Sequence, residues 1–592
     1  MSRRALLMVL ALCPVIAPAE PLWLKATSAN FELYTTAGEA KARELIRYFE
    51  HVNSFFQAAV HASRSGKGRV RIIAFQSEAE YRPYRLREPA LAYSSGDATR
   101  DEIVLKSFSA EDYPVAIHEY VHVLLKPVKN VPLWLNEGLA ELFSSLRPEG
   151  KKVLVGTLLP GRMRVLQSSG WMDLDALCAV DLDSPYYTSD HTQQEIFYAE
   201  SWALTYMLAL SDQYRPKFPE FLQLTTGGER VAVAFGKAFG KQMPDVLADL
   251  RQYIRGERFT GLLFEAALAA SAEDPEIRPV TPLESGLVLA SLLEDIHKTD
   301  EARQAYRRLA EENPASPEVP EAQGYLAWRA EQRGEALAQF ARAAELGSKN
   351  AHMYYDYSAL AGDTDAARSK RISLLRTAVA LDPRFEDARY HLGLLLVAEG
   401  EYEKALAQFA GVTNARPEES FEFFRAVAYA AFQTGDEEKA HSAVRRAAEY
   451  AKDPIEKASV AQLAAAIGEG PSEQPASPPP ASPTPPTEPA LDMRSAATPE
   501  TLQQRLPSTV EGTLEGVECL EHATRLRVIV NGRAMRFLTD RRRPVEIRGR
   551  KGRPFALVCG PMKTRSAVLV EYEPAVNEKL GTVGVVGSIE LK

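Results

Sequence analysis

A pentapeptide that returns unchanged restricts the fold of this chain more than any other feature. Ala336-Leu337-Ala338-Gln339-Phe340 recurs letter for letter as Ala405-Leu406-Ala407-Gln408-Phe409, about two 34-residue periods later. Each copy follows a glycine and an acidic residue, Gly334-Glu335 and Gly400-Glu401. Related turns stand at Thr299-Asp300-Glu301-Ala302 and Gly435-Asp436-Glu437, and Pro314, Pro383, Pro417 and Pro454 close successive units. A period of this length is one pair of helices, and a single pair cannot bury its apolar face alone. Residues 281–456 therefore predict an α-helical solenoid of about five stacked pairs.

This pattern, with small residues at helix crossings and a closing proline, resembles the tetratricopeptide repeat (TPR). The resemblance implies a concave surface that holds a protein or peptide partner. A chain of 592 residues is too long for one core, so the expected architecture is multidomain. Residues 469–506 are dominated by Pro, Ser, Thr and Glu and predict an extended, disordered linker. Residues 507–592 read as a small all-β domain. Thr524 to Val530 and Arg533 to Leu538 flank Asn531-Gly532, a strong hairpin signal. Cys519 and Cys559 lie in apparent strands there, and spacing alone leaves open whether they pair. Cys178 reads as a small buried apolar residue.

The chain opens with Arg3 and Arg4, an apolar run from Ala5 to Ile16, and Ala17-Pro18-Ala19. That is the layout of a cleaved signal peptide over residues 1–19. The run is shorter than the ~20 residues a membrane span needs, so no integral span is expected after cleavage. Leu12 precedes Cys13 where lipid-anchored chains carry a small residue, which disfavours a lipid anchor. The expected location is the periplasm or the extracellular space. A net charge of -9 gives no reason to expect a nucleic-acid partner. The basic run Arg541, Arg542, Arg543, Arg548, Arg550, Lys551 and Arg553 reads as a solvated face.

Residues 20–265 predict an α+β domain. Phe31 to Thr35, Val70 to Phe75 and Glu102 to Leu105 read as strands. Ala40 to Val60 carries helical spacing, and about 110 to 260 reads as helical throughout. The Glu102–Leu105 strand is a candidate edge for an extended peptide.

The chemistry of this domain sits in His118-Glu119-Tyr120-Val121-His122. Residues four apart share a helix face, so both imidazoles can reach one ion while Glu119 stands beside it to polarise a bound water. A catalytic zinc takes three protein ligands and keeps a fourth position open. The third comes from Trp134-Leu135-Asn136-Glu137-Gly138-Leu139-Ala140-Glu141, on a second helix beginning near Pro132. Glu137 can reach the metal, and Glu141, one turn on, can accept from the far nitrogen of a liganding histidine.

His-Glu-x-x-His followed by a helix with Asn-Glu-Gly-x-Ala resembles the gluzincin, or peptidase MA-like, metallopeptidases. The resemblance implies a zincin-like fold, one Zn2+ on His118, His122 and Glu137, Glu119 as general base and Glu141 as the histidine-orienting carboxylate. Fourteen residues separate His122 from Glu137, fewer than in familiar members. The longer spacing points to Glu141, whereas the Asn-Glu-Gly context points to Glu137. The family often places an oxyanion-stabilising tyrosine on a later helix, a position Tyr198 fits. The Gly-Ala-Met-Glu-Asn segment of exopeptidase members has no counterpart. Two functions follow: an active zinc peptidase of the cell envelope acting on peptides or proteins, or an idle metalloprotease-like domain on a TPR interaction scaffold.

Overall fold

The computed structural model describes residues 22–59, 68–86, 92–96, 100–107, 113–149, 152–168, 170–188, 191–256, 259–265, 274–362, 365–413, 415–416, 418–468, 500–504, 508–520, 524–539, 545–548, 557, 559–577 and 579–592. The signal segment lies outside them. The chain divides into two compact units, one of residues 1–81, 87–278 and 486–592, the other of residues 82–86 and 279–485.

The first unit begins with a mixed sheet of β1 (Leu24–Thr27), β2 (Phe31–Thr35), β3 (Val70–Ala74), β4 (Ala92–Gly96) and β5 (Asp101–Leu105). β2, β3 and β5 run parallel, while β4 lies antiparallel to β5. Helix α1 (Glu39–Ala59) makes the crossover from β2 to β3. It buries Leu45, Ile46, Phe49, Val52, Phe55 and Phe56, the three-and-four spacing of an apolar helix face. Phe31, Leu33, Val70, Ile72, Ile103 and Leu105 supply the sheet side of this core. The opposite face of the sheet carries a charge ladder. Lys25 pairs with Glu32 at 2.7 Å, Glu32 with Arg71 at 2.9 Å, and Arg71 with Glu102 at 3.7 Å.

The structure corrects two expectations here. The Glu102–Leu105 segment is an interior strand, and the sheet edge on that side is β4. The stretch from 110 to 260 is not helical throughout: β6 (Arg147–Glu149) and β7 (Lys152–Val155) form a hairpin, and β8 (Phe259–Glu265) pairs with β7. The apolar run Val153-Leu154-Val155 is buried in a sheet, where a short apolar run is as much at home as in a helix.

The first unit also takes in two later strands. β9 (Glu276–Pro279) joins beside β1 as the sixth strand, beyond the expected boundary at 265. β10 (Glu500–Gln504), expected within the linker, pairs antiparallel with β8, and Glu500 meets Lys152 at 2.6 Å. The rest of the linker, residues 469–499 and 505–506, lies outside the described residues.

The C-terminal strands are β11 (Ser508–Cys519), β12 (Thr524–Val530), β13 (Arg533–Thr539), β14 (Glu546–Arg548), β15 (Gly560–Asn577) and β16 (Thr582–Leu591). β11 pairs with both β12 and β15, and β16 pairs antiparallel with β15 and parallel with β13. The order β13-β12-β11-β15-β16 thus returns to β13 and closes a small barrel, which protects its edges. Leu514, Leu526, Val528, Phe537, Val570 and Ile589 fill it. Asn531 and Gly532 both take positive φ, 48° and 76°, as a two-residue hairpin turn requires. Cys519 and Cys559 are disulfide-bonded, with Cα atoms 5.6 Å apart. Apart from the β14 backbone, the basic run 541–553 lies outside the described residues.

The second unit is helical. Five pairs follow one another: Pro282–Asp295 with Thr299–Glu312, Glu318–Arg329 with Arg333–Glu345, Ala351–Leu360 with Asp365–Leu381, Glu386–Ala398 with Tyr402–Phe409, and Ser420–Gln433 with Glu437–Tyr450. A last helix, Pro454–Ile467, has a capping box from Asp453 and Glu456. The repeated pentapeptide has a packing cause. Phe340 lies against Gly324 and Phe409 against Gly393, where a Cβ on either glycine would fall 2.6 Å or 2.3 Å from the ring. No helix among the described residues is long and apolar enough to cross a membrane.

Candidate metal centre

Helix α2 (Tyr113–Leu125) carries both histidines. Ala116, Ile117, Tyr120, Val121, Val123, Leu124 and Leu125 are buried, and the Tyr120 hydroxyl donates to Asn53 Oδ1 at 2.8 Å, which pins α2 to α1. His118, Glu119 and His122 are left half-buried on the remaining face. Helix α3 (Leu133–Ser144) packs against α2 and is buried along nearly its whole length. Gly138 allows this depth. A Cβ there would stand 2.4 Å from the Ser201 carbonyl oxygen and 2.1 Å from Thr205 Oγ1, both on helix α5 (His191–Leu210; α4 is Pro160–Ser168). The close approach carries Glu137 inside, where it is 2% exposed.

Three ligand atoms converge. His118 Nε2 and His122 Nε2 are 3.1 Å apart, and Glu137 Oε2 lies 3.3 Å from the first and 3.5 Å from the second. These residues form the one group with metal-holding geometry among those described. Zinc bonds of 2.0–2.1 Å at tetrahedral angles put neighbouring donor atoms about 3.3–3.4 Å apart, so the triangle has the edge length of one face of such a tetrahedron. Glu137 Oε2 is buried without a hydrogen bond. A buried carboxylate oxygen in that condition is costly unless a cation serves it, and the residues present therefore fit a divalent ion.

The outer contacts favour the same arrangement. Asn136 Oδ1, an acceptor only, lies 2.8 Å from His122 Nδ1, so the proton belongs on Nδ1 and the Nε2 lone pair faces the centre. Glu141 Oε1 lies 3.6 Å from His118 Nδ1. Its short bonds go to Arg162 of α4, which donates from Nε at 2.9 Å and Nη2 at 2.7 Å. The Tyr187 hydroxyl donates to Glu137 Oε1 at 3.1 Å. Burial presses the His122 pKa down, but the Glu137 carboxylate, helped by Glu119 and the Asn136 bond, outweighs it and holds His122 up to about 9. Burial would raise Glu137, yet the two imidazoles hold it well below the usual carboxylate range. Without metal the Glu137 carboxylate thus favours a proton on His122, and an ion must displace it.

Of the residues expected from sequence, the structure brings His118, His122 and Glu137 to one point and sets Glu141 one shell out. Glu119 is half-buried with no hydrogen-bond partner among the described residues. The Tyr198 ring centroid is 6.4 Å from that of His118, and the Arg162 guanidinium lies 5.2 Å over the Tyr198 ring. Sequence reasoning missed Asn136, Arg162 and Tyr187. Asn136 stood in the quoted motif, where its amide had no role beyond context. Arg162 and Tyr187 stand 21 and 50 residues from their carboxylate partners, and no local pattern marks them. Cys178 is half-buried and free, its thiol pushed by burial up to about 12, as expected of a packing residue.

Residues 358–428 match the tetratricopeptide repeat family model. No curated protein matches the chain. Among solved structures, the chain is similar to YrrB, a TPR protein with an unusual peptide-binding site, at 22% identity over 29% of this chain and 88% of that one, TM-score 0.25. It is also similar to the MamA protein, at 20% identity over 28% and 91%, TM-score 0.24. A third likeness is to pilF of Pseudomonas aeruginosa, at 15% identity over 32% and 85%, TM-score 0.24.

Proposed function

We propose that the domain over residues 20–265 is a zincin-like, gluzincin-type metallopeptidase that hydrolyses peptide bonds in the cell envelope, and that the repeats recruit its partner or substrate. The observation that carries this reading is the near-equilateral triangle of His118 Nε2, His122 Nε2 and Glu137 Oε2. When bound, zinc supplies a Lewis acid that polarises a carbonyl and lowers the pKa of water.

The residues divide the remaining work. Asn136 fixes the His122 tautomer so that its Nε2 faces inward, while Glu141, held by Arg162, places its negative charge 3.6 Å from His118 Nδ1. Glu119, free of other bonds, takes a proton from the attacking water and returns it to the leaving amine. Tyr198 has its ring near His118 and supports the oxyanion. An extended substrate adds to the edge strand β4, which replaces the interior strand β5 in that role. The Cys519–Cys559 disulfide is a bond that an oxidising compartment sustains, which supports export. A second reading, an idle domain on an interaction scaffold, is favoured by the family match falling within the repeats.

Elemental analysis of the exported chain tests the proposal. About one zinc per chain is expected, lost in Glu137→Ala. In a peptide-cleavage screen, Glu119→Gln should keep its metal and lose about 10²–10⁴-fold in rate. Absence of zinc after reconstitution at neutral pH would leave the scaffold reading. So would a metal-loaded chain whose cleavage does not depend on Glu119.

A further inference from the structure

We propose that Tyr187 is a positioning residue of the metal centre, restricting Glu137 to one-oxygen ligation so that a coordination position stays open for water. The inference rests on the metal reading above and deepens it. Glu137 has two oxygens with different surroundings. Oε2 faces the two imidazoles without a hydrogen bond of its own, while Oε1 accepts from the Tyr187 hydroxyl at 3.1 Å. A carboxylate can grip a cation through one oxygen or both. Gripping through both would add a fifth donor beside the water or substrate that a catalytic site admits, and crowd that open position. A phenol bound to Oε1 withholds that oxygen. It also draws electron density from the carboxylate, leaving the ion a stronger Lewis acid.

The phenol is held in place independently of any ion. Tyr187 lies on the short helix Pro185–Thr188, where its backbone N–H donates to the Ser184 carbonyl at 2.8 Å. Its own carbonyl accepts from Gln194 Nε2 on α5 at 2.9 Å. The ring meets Phe197 edge-on, with centroids 6.1 Å apart and planes at 89°. The Tyr187 ring thus lies near Tyr198, 6.5 Å away between ring centroids, yet its hydroxyl addresses the ligand carboxylate.

Cobalt substitution of the full chain reads the coordination number directly, since the visible bands of Co2+ weaken when a fifth ligand joins four. Tyr187→Phe keeps the ring and removes only the hydroxyl. Its Co2+ bands should weaken relative to wild type, and its Co2+ affinity should change by about tenfold. Gln194→Ala, which loosens the Tyr187 backbone without touching the phenol, should show the same spectral change in smaller measure. Matching spectra and affinities for wild type and Tyr187→Phe would overturn the role of Tyr187 while leaving the metal centre standing. Failure of the wild-type chain to bind Co2+ would overturn both.

Discussion

The paired helices α3 and α5 and the paired helices of the repeats solve the same packing problem with different tolerances. In the repeats, a glycine on one helix receives an aromatic ring from its partner, as Gly324 receives Phe340 and Gly393 receives Phe409. A ring can rotate, and each pair leaves one face to solvent. In the candidate metal centre, Gly138 receives the Ser201 backbone carbonyl and Thr205, and α3 is buried on nearly every side. Backbone cannot rotate away. The repeats thus use glycine to fit a knob, whereas the centre uses it to bring two helices close enough to bury a charged side chain at a fixed point.

The largest expected effect tests whether the repeats fail locally. Phe409→Ala should cost about 3–5 kcal/mol in the unfolding of the solenoid, read by denaturant melts, while the metal affinity of the chain stays unchanged. A parallel loss of metal affinity would break the contrast. Gly138→Ala should cost about 3 kcal/mol, the upper end of overpacking, against about 1 kcal/mol for Gly393→Ala. Equal costs in thermal unfolding would show that backbone and ring neighbours yield alike. Asn136→Ala should weaken zinc binding about 10–100-fold by competition titration with little change in folding, because it frees the His122 tautomer.

The last effect concerns a buried acid on α5. Glu200 is 1% exposed. Its Oε1 accepts from the Met172 N–H at 2.9 Å and its Oε2 has no partner. Burial raises its pKa to about 7, only partly opposed by that bond and by Arg251. The folded chain therefore binds a proton that the unfolded chain has released, so stability falls as pH rises from about 4.5 to about 7 and stays lost above. Glu200→Gln should match wild type near pH 4 and exceed it at pH 8 by about 3 kcal/mol. A variant no more stable at pH 8 would show that Glu200 is charged at no cost in the fold.

Much of this was legible along the chain. The helix pairs were, because a helix repeats its faces every few residues and the 34-residue period repeats the pair. So were the two histidines on one turn, and the hairpin at Asn531-Gly532. The third candidate ligand was legible only as a choice between Glu137 and Glu141, which lie one turn apart. Their fates parted when α3 met α2: Glu137 Oε2 reached both imidazoles, and Glu141 was taken by Arg162.

The sequence by itself determined what is periodic or local: the repeats, the placement of His118, Glu119 and His122, the turns, and the low-complexity stretch before the last domain. Only the tertiary structure decided that β5 lies inside the sheet and β4 at its edge, and that β10 returns across the linker to pair with β8. It alone joined Cys519 to Cys559 and brought Tyr187 to Glu137. Each of these is a pairing between distant segments. Hydrogen-bonding edges, thiols and phenols are chemically competent for many partners, and the packing of whole elements selects one.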